Sequence, residues 1–299
     1  MVNQRRFFRV LLLSIVFLFV CLITAPMIGP QPINIRQAWI HRSTMDSPDA
    51  IIVFSLRLPR ILFAALTGSA LAGAGVAFQA LLRNPLATPY TLGVSSGTAC
   101  GAVIGMLSGC SGLILGIPCI QLTGFAGAVA TIILVYLIGR RTGDSTHTLL
   151  LAGVTLSFFF ASFIMLMQYM ADFTQTHRII HWMMGGLDIA DYSTCWRALP
   201  GVMIGLTVLW TRASEYNLLS AGATAAQSRG VNVQRCNHIT YAAASLIVAA
   251  VVSVTGPIGF VGLIVPHALR MLIGADHRVL LPASIFCGAG FLIVCDTIA

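Results

Sequence analysis

The fold class of this chain is decided by residues 56–97, LRLPRILFAALTGSALAGAGVAFQALLRNPLATPYTLGVSSG. Two arginines, Arg57 and Arg60, come first, and residues 61–82 then follow without a charged side chain. A helix needs about 20 apolar residues to cross a bilayer. Small residues recur at every fourth position of the run, at Ala65, Ser69, Gly73 and Ala77. Such a stripe lets helices pack closely in lipid. The stretch therefore predicts a membrane-spanning helix surrounded by other helices.

The composition of the whole chain supports a membrane protein. Of its 299 residues, 57% are hydrophobic and 9% are charged, whereas about a quarter are charged in ordinary soluble domains. All 17 basic residues are arginines. A nucleotide-binding P-loop needs a lysine to hold the phosphates, so any ATP that drives this protein is hydrolysed by another polypeptide. The net charge of +8 does not indicate a nucleic-acid site, because the arginines are spread over short loops.

Nine apolar segments can be read along the sequence. They cover residues 10–29, 58–82, 92–109, 113–138, 148–170, 198–211, 239–255, 258–273 and 279–298. We expect an all-α polytopic protein with a single transmembrane domain over residues 1–299. With the N-terminus in the cytoplasm, eleven of the 17 arginines fall in cytoplasmic segments, as the positive-inside rule requires.

Two further segments and the cysteines carry separate expectations. Residues 173–188 predict a short external helix that ends at Gly185-Gly186, and residues 212–238 predict a cytoplasmic loop with two short helices broken at Gly230. The eight cysteines are scattered and form no Cys-x-x-Cys pair. We interpret most of them as small packing residues rather than as disulfide partners or metal ligands.

The order of short motifs along the chain resembles the permease subunits of bacterial ABC importers for ferric siderophores, haem and vitamin B12, the FecCD-type permeases. The motifs are Arg83-Asn84-Pro85-Leu86-Ala87, Leu149-Leu150-Leu151-Ala152-Gly153, Trp182-Met183-Met184-Gly185-Gly186, Gly230-Val231-Asn232-Val233, residues 256–263 (GPIGFVGL), Pro266-His267 and residues 276–282 (DHRVLLP). The resemblance implies ten helices in two inverted five-helix halves. About nine of these fit into the present chain, so we expect it to end before the last helix.

The resemblance also implies three partners. The permease pairs with a second copy or a paralogue, binds two cytoplasmic ABC ATPase subunits, and receives substrate from a periplasmic binding protein. Arg57 and Arg60 match the arginines that receive acidic residues of that binding protein. An arginine pairs with a carboxylate in a bidentate fork, which suits this task. The alternative is that both side chains extend to lipid headgroups.

Two cytoplasmic turns match the loops that narrow the translocation path in vitamin B12-type permeases. The predicted gate residues are Asn84, Pro85, Leu86, Ser145 and Thr146. The alternative is an ordinary turn followed by a helix N-cap, since Ser and Thr are good caps. Both interpretations are compatible, because a capped turn is a rigid place for a gate.

The loop between the sixth and seventh apolar segments matches the helices that insert into the ATPase. The predicted coupling residues are Leu219, Ser220, Ala221, Gly222, Arg229 and Gly230. Small side chains over residues 221–226 suit close fitting into a partner's cleft, and the alternative is a solvated loop. The fifth apolar segment lines the central path in the family, which makes Ser157, Ser162, Met165 and Gln168 the candidate path residues, with plain helix packing as the alternative.

We expect a transport function and no enzyme activity, cofactor or metal site, because no nucleophile and base stand together in the sequence. The substrate predicted from the resemblance is a ferric siderophore or related iron chelate, and vitamin B12 and haem remain alternatives. An ion-coupled secondary transporter is the alternative of another class. Such proteins carry functional acids near the membrane midplane, whereas the nine acids here fall in loops or at the ends of apolar segments.

Overall fold

The structure, a computed structural model, describes residues 4–29, 31–42, 46–110, 112–114, 116–141, 146–187 and 191–299. The helices are α1 (Gln4–Thr24), α2 (Ile35–Ile40), α3 (Pro48–Ile51), α4 (Leu58–Leu81), α5 (Val94–Leu107), α6 (Cys119–Arg141), α7 (Thr146–Met170), α8 (Phe173–Met184), α9 (Tyr192–Thr211), α10 (Ala213–Ser220), α11 (Ala223–Gln227), α12 (Val233–Thr255), α13 (Val261–Ile273) and α14 (His277–Ile298). A 3₁₀ turn, Ala25–Met27, follows α1, and a π-helical segment, Ile52–Arg57, joins α3 to α4. This architecture confirms the predicted all-α fold.

Each of the nine predicted apolar segments overlaps a helix. Within the described part of the chain, six stretches are long and apolar enough to cross a membrane: Phe7–Met27, Pro48–Leu81, Cys119–Gly139, Thr148–Met170, Val233–Thr255 and His277–Ile298. The helices α5 and α13 are apolar but shorter, with 14 and 13 residues. The amphipathic α8 ends at Met184 and is capped by Gly185 in the left-handed region, which confirms the predicted short helix.

The centre of the bundle is α4, which packs against α9, α12, α13 and α14. Most of its residues from Ile61 to Leu81 are buried. Two glycine crossings explain how the helices approach so closely. A Cβ atom on Gly68 would overlap the carbonyl group of Gly288 on α14, and one on Gly75 would overlap the carbonyl group of Gly262 on α13. Close backbone contact of this kind is how helices associate in lipid.

The helix contacts repeat in inverted order between the two parts of the chain. In the first part of the chain, α4 packs against α13 and α14 of the second part. In the second part, α12 packs in the same way against α5 and α6 of the first. In this pattern α4 corresponds to α12, α5 to α13 and α6 to α14. The short helix α5 follows an irregular segment, residues 82–93, and the short helix α13 follows the irregular residues 256–260. The pattern agrees with two inverted halves, α1 with α4–α7 and α9 with α12–α14.

The connection between α5 and α6 differs from the prediction. The segment predicted as helix from residue 113 forms a two-stranded antiparallel hairpin, β1 (Leu113–Ile114) and β2 (Ile117–Pro118), and α6 begins only at Cys119. Gly109, Gly112 and Gly116 adopt positive φ angles that turn the chain here. A disulfide joins Cys110 to Cys119 across this hairpin. The interpretation of the cysteines as packing residues was therefore wrong for this pair, because folding brings residues nine apart to bonding distance.

Candidate functional site

A cleft that contains charged side chains opens where α4 begins and α14 ends, on what we call the Arg60 face. Its volume is about 790 Å³, and its walls come from the end of α1, the start of α4, the end of α8, residues 257–259 and the end of α14. Both predicted docking residues, Arg57 and Arg60, line it. The fold thus places the two arginines in one cleft, as their i, i+3 spacing predicts.

Arg60 is held by a carboxylate that the sequence analysis did not assign to it. Its Nε and Nη2 atoms donate to the two carboxylate oxygens of Asp296 on α14 at 2.8–3.1 Å, in a bidentate pair. The side chain of Arg60 is 39% exposed, whereas that of Asp296 is 12% exposed. The arginine therefore still faces the cleft while its present partner is largely covered.

Arg57 is held by backbone groups instead. Its two terminal nitrogens donate to the carbonyl oxygens of Pro26 and Gln31 at 2.9 and 3.0 Å. A Cβ atom on Gly29 would overlap the Arg57 guanidinium, so this glycine makes room for the side chain. Arg57 therefore fixes the segment after α1 to the start of α4.

The opposite face of the bundle, which we call the Asn84 face, carries the first predicted gate. Asn84 accepts a hydrogen bond from the backbone N–H of Leu86 at 2.9 Å and forms an Asx turn. The preceding residue, Arg83, has a positive φ of 46°, which makes the chain leave α4 sharply. Pro85 and Leu86 are exposed at the tip of the turn, Leu86 by 64%. Ser145 lies outside the described residues, and Thr146 is the first residue of α7.

The predicted coupling segment forms two short helices on the Asn84 face, but the break lies elsewhere than predicted. Helices α10 and α11 are separated at Gly222, whose φ of 115° few other residues adopt. Gly230, also with a positive φ, follows α11 instead. Ser220, Ala221, Arg229 and Gly230 are exposed, and Gly222 is half-buried.

Two residues of this segment face the bundle rather than solvent. Leu219 and Ala226 are buried with Ala80, Tyr216 and Cys236 in a separate apolar cluster. The small side chain of Ala226 thus serves packing within the chain and not contact with a partner. The exposed surface available to a partner is the turn around residues 220–224 and the end of α11.

A polar junction that the sequence analysis missed joins α10 to the start of α14. The Nδ2 atom of Asn217 donates to Asp276 at 2.7 Å, and its Oδ1 atom accepts from the backbone N–H of His277 at 2.8 Å. The same Oδ1 lies 2.8 Å from Nδ1 of His277. Since a carbonyl oxygen only accepts, this nitrogen of the ring carries the proton. The motif around Asp276 was visible in the sequence, but no signal there pointed to a partner 59 residues earlier.

The tyrosine beside Asn217 strengthens the same junction. The hydroxyl group of Tyr216 lies 3.0 Å from that of Thr240 on α12. Burial raises the pKa of the Tyr216 hydroxyl, so the proton needed for this hydrogen bond is retained. The ring of Tyr216 also meets the ring of His277 edge-on, with 5.9 Å between centroids. Helix α10 is consequently fixed to both α12 and α14.

The candidate path residues on α7 lie on two different faces. Ser157 bonds to the carbonyl oxygens of Gly153 and Tyr90, and Gln168 contacts the sulfur of Met183 on α8. Both therefore face the bundle. Ser162 and Met165 are exposed, Met165 by 71%. Positions 157 and 168 are about three turns apart and therefore lie on the same side of the helix, whereas Ser162 and Met165 lie on the exposed side. The structure thus does not bring the four residues to one surface.

Comparison with known proteins gives a consistent result. Residues 15–299 match the family model described as the FecCD transport family. The cobalamin import system permease protein BtuC of Halobacterium salinarum is 41% identical over 250 residues, covering 83% of this chain and 66% of that protein. The hemin transport system permease protein HmuU of Yersinia pestis is 36% identical over 276 residues, covering 91% and 81%.

A solved structure supports the same assignment. An inward-facing metal-chelate type ABC transporter superposes with a TM-score of 0.85 at 28% identity, over 98% of this chain and 90% of that one. Family match, fold and order of motifs agree over almost the whole chain. The protein is therefore a membrane permease of the FecCD transport family, whose members serve ABC transporters.

Proposed function

We propose that this permease imports an iron chelate that a periplasmic binding protein delivers to the Arg60 face, with vitamin B12 and haem as the alternative substrates. The observation that carries the proposal is the placement of two candidate partner surfaces on opposite ends of one bundle. An arginine-lined cleft lies on one face, and the paired helices α10 and α11 lie on the other. Related permeases are named for cobalamin and hemin, and the structural neighbour for a metal chelate.

The cleft supports docking of an acidic partner mainly through Arg60. Its guanidinium is partly exposed and holds a carboxylate in the bidentate geometry that a partner's Asp or Glu would use. Arg57 contributes positive charge to the same cleft while it holds Gln31 and Pro26. We assign docking to both residues, with Arg60 as the one able to exchange its partner.

The Asn84 face supports a gate and an ATPase contact. Asn84, Pro85 and Leu86 form a rigid turn with an exposed apolar tip, and we assign them to the gate together with Ser145 and Thr146. The exposed Ser220, Ala221, Arg229 and Gly230, with Gly222 at the turn, form the contact for two ATPase subunits. We assign Leu219 to the same segment as the side chain that anchors it to the bundle.

The disulfide supports an orientation in the inner membrane with the Arg60 face outside. Disulfides form and persist on the oxidising side of a bacterial membrane, so the Cys110–Cys119 hairpin belongs outside. This hairpin is on the Arg60 face, because Arg197, beside Asp191 at the start of α9, donates to the carbonyl oxygen of Gly116. With the Arg60 face outside, the N-terminus is cytoplasmic, which agrees with the distribution of arginines.

The surface for a second permease copy or a paralogue is the uncovered side of α7. Thr155, Ser162 and Tyr169 are exposed at intervals of seven residues, among large apolar side chains such as Phe158 and Met165. Polar groups facing lipid are unfavourable, so this stripe indicates contact with another subunit or with a central path. We assign Ser162 and Met165 to that path. Ser157 and Gln168 lie on the side of α7 that packs against the bundle, and we assign them the role of holding α7 in place.

Reconstitution tests the proposed function. The permease, its ATPase and its binding protein would be assembled in proteoliposomes and offered a ferric hydroxamate, haemin and cyanocobalamin as probes. We expect ATP-dependent uptake of the ferric chelate that requires the binding protein. Uptake of haemin or cyanocobalamin instead would select one of the alternative substrates.

The same assay separates an ion-coupled secondary transporter. Uptake driven by a proton or sodium gradient without ATP would contradict the proposal. The structure offers no support for that class, because the acids in the described part of the chain lie in loops or at helix ends. They are Asp46, Asp49, Asp172, Asp191, Glu215, Asp276 and Asp296.

A neutral substitution tests docking better than a charge reversal does. A glutamate at position 60 would face Asp296 and disturb the fold, so we choose Arg60→Gln. We expect it to weaken binding of the binding protein by about tenfold, the loss of about 1.4 kcal/mol expected for one charge-assisted contact. The measurement is a titration of labelled binding protein onto permease in nanodiscs, with Arg42→Gln as the control outside the cleft. An unchanged Kd for Arg60→Gln would remove Arg60 from the docking surface.

A further inference from the structure

We infer that α14 couples the cleft on the Arg60 face to the ATPase-facing helix α10, through Asp296 at one end and Asp276 and His277 at the other. The inference rests on the proposed function, because it assigns a route between the two proposed partner surfaces. Asp296 and Asn217 are the residues to which it gives new roles. Neither touches substrate, so both are positioning residues.

The outer end of α14 is attached through a contact that a docking partner can replace. The Asp296 carboxylate occupies the fork of Arg60 with three hydrogen bonds of 2.8–3.1 Å. Both residues line the cleft, and Arg60 remains 39% exposed. The Nε–Nη2 edge of a guanidinium holds one carboxylate in this fashion at a time. An acidic side chain arriving from a binding protein therefore competes with Asp296 for Arg60.

The inner end of α14 is attached to α10 through its helix cap. Asp276 is the N-cap residue and accepts from the backbone N–H of Arg278 at 2.9 Å. Asn217 binds this same carboxylate and accepts the backbone N–H of His277. Displacement of α14 along or around its axis would break these hydrogen bonds unless α10 moved with it. His277 is 4% exposed, so water does not readily replace the lost contacts.

Between its two ends α14 is one helix of 22 residues with the buried Pro282 in its second turn, and it is about 33 Å long at 1.5 Å per residue. It packs along α4 through the Gly68–Gly288 crossing, and the hydroxyl of Ser69 donates to the carbonyl oxygen of Ile285. Packing of α14 against α1, α4 and α13 encloses Pro282 and leaves little room for bending there, so displacement at the Asp296 end is carried to the Asp276 end. A chain of packed helix and hydrogen bonds thus connects the two faces.

The inference predicts how the ATPase rate responds to the binding protein. In wild type, docking releases Asp296 and the change reaches α10. In Asp296→Asn the ion pair is weakened without docking, so we expect a raised ATPase rate in the absence of binding protein. In Asn217→Leu the inner attachment is lost, so we expect the ATPase to stay bound but to ignore docking. In both variants the stimulation by binding protein should fall about fivefold or more, the usual range of allosteric coupling.

The experiment uses the complex of permease and ATPase in nanodiscs, with and without binding protein loaded with the chelate that wild type transports. Matched controls are Thr24→Ala at the end of α1, which does not line the cleft, and Thr211→Ala near α10, because the hydrogen bonds described for each hydroxyl go to carbonyl oxygens of its own helix. The double variant Asp296→Asn/Asn217→Leu should show the same low stimulation as Asn217→Leu alone, since both changes act on one route. Arg60→Lys, which keeps the charge but loses the fork, repeats the outer test if Asp296→Asn does not fold.

The outcomes distinguish the inference from the proposed function. A wild-type complex that neither hydrolyses ATP in response to binding protein nor transports any of the three probes would overturn both. A responsive wild type whose Asp296→Asn, Arg60→Lys and Asn217→Leu variants keep its stimulation to within about twofold, below the usual coupling range, would overturn the inference alone. Effects of Asp296→Asn and Asn217→Leu that simply add in the double variant would place the residues on separate routes and likewise overturn it.

Discussion

At the scale of single residues, several acids and amides of this protein cap helices. Asp172, Asp191, Asn232 and Asp276 each stand before a helix and accept a backbone N–H from its first turn. Caps satisfy groups that would otherwise lack a partner, and a carboxylate there also interacts favourably with the helix dipole. In an apolar bundle these positions are where polar side chains contribute to stability.

The cap of α9 leads to a prediction about pH. Burial tends to raise the pKa of Asp191, but hydrogen bonds from Thr194 and Ser193 and the charge of Arg197 outweigh it and lower the pKa below its usual value. The stabilisation from this shift is complete above the unfolded-state pKa of about 3.9 and is lost as the pH falls through the folded-state value. We expect Asp191→Ala to lower stability at pH 7 by about 1 kcal/mol, as measured for other caps.

Thermal unfolding in detergent at neutral and acidic pH measures this effect. The difference in Tm between wild type and Asp191→Ala should shrink at about pH 3, below the unfolded-state pKa. Asp191→Asn is the matched control, because asparagine keeps the cap but has no proton to lose. An Asp191→Ala deficit that is equally large at both pH values would show that the charge of Asp191 has no part in the stabilisation.

At the scale of helices, backbone contact between α4 and its neighbours determines which elements stand at the centre. Gly68 meets Gly288 on α14, and Gly75 meets Gly262 on α13. Helices in lipid gain no hydrophobic free energy from association, so close approach and van der Waals contact must supply it. Neither Gly68 nor Gly75 belongs to the every-fourth stripe of small residues found in the sequence, so these two backbone crossings lie beside that stripe and not on it.

Gly75→Ala tests the tightest of these crossings. The added Cβ atom would overlap the backbone carbonyl of Gly262, and a backbone group cannot relieve the overlap by a change of rotamer as a side chain can. We expect a loss of about 1–3 kcal/mol, the usual cost of overpacking, visible as a lower Tm and a lower yield of folded protein in detergent.

Gly201→Ala on α9 is the control, because its Cβ would meet only Ala250 at an ordinary 3.5 Å. Alanine is favoured over glycine inside a helix by about 0.5–1 kcal/mol, so this variant should be as stable as wild type or slightly more stable. Equal Tm values for Gly75→Ala and Gly201→Ala would show that α4 and α13 separate at little cost.

At the scale of the whole molecule, the least covered long helices are α1, α6 and α7. Only 22% of the most apolar 18-residue stretch of α7 is buried, compared with 78% of the corresponding stretch in the span that contains α4. Apolar exposure is expected of any helix that faces lipid, but α7 also exposes Thr155 and Ser162 seven residues apart. Residues seven apart lie on nearly the same side of a helix, so these hydroxyl groups form one polar stripe. The proposed second copy therefore belongs at α7 rather than at α6.

A photo-crosslinking residue at position 162 tests this placement. We expect Ser162 replaced by benzoylphenylalanine to give a product of twice the permease mass on irradiation in membranes. Ile133 on α6 is the control, since it is 51% exposed and lies on a helix without the polar stripe. A stronger dimer product from position 133 than from position 162 would move the interface away from α7.

The sequence by itself determined the fold class, the helix order and the family. Apolar runs, arginine positions and turn motifs are local features, and each apolar run overlaps a helix. Helix starts were less predictable at Cys119 and Val261, because glycines and prolines before them permit several backbone paths. The docking, gate, coupling and path assignments remain proposals, but their positions on opposite faces follow from the order of the helices.

Only the tertiary structure decided which side chains meet. Asp296 lies 236 residues from Arg60, and Asn217 lies 59 from Asp276. Nothing in the local sequence of a residue specifies a partner so distant, since the pairing depends on which helices cross and at what rotation. The Cys110–Cys119 disulfide and the inward direction of Ala226 were decided in the same way. Composition and periodicity place a helix in the membrane, whereas packing against its neighbours sets which of its residues are exposed to a partner.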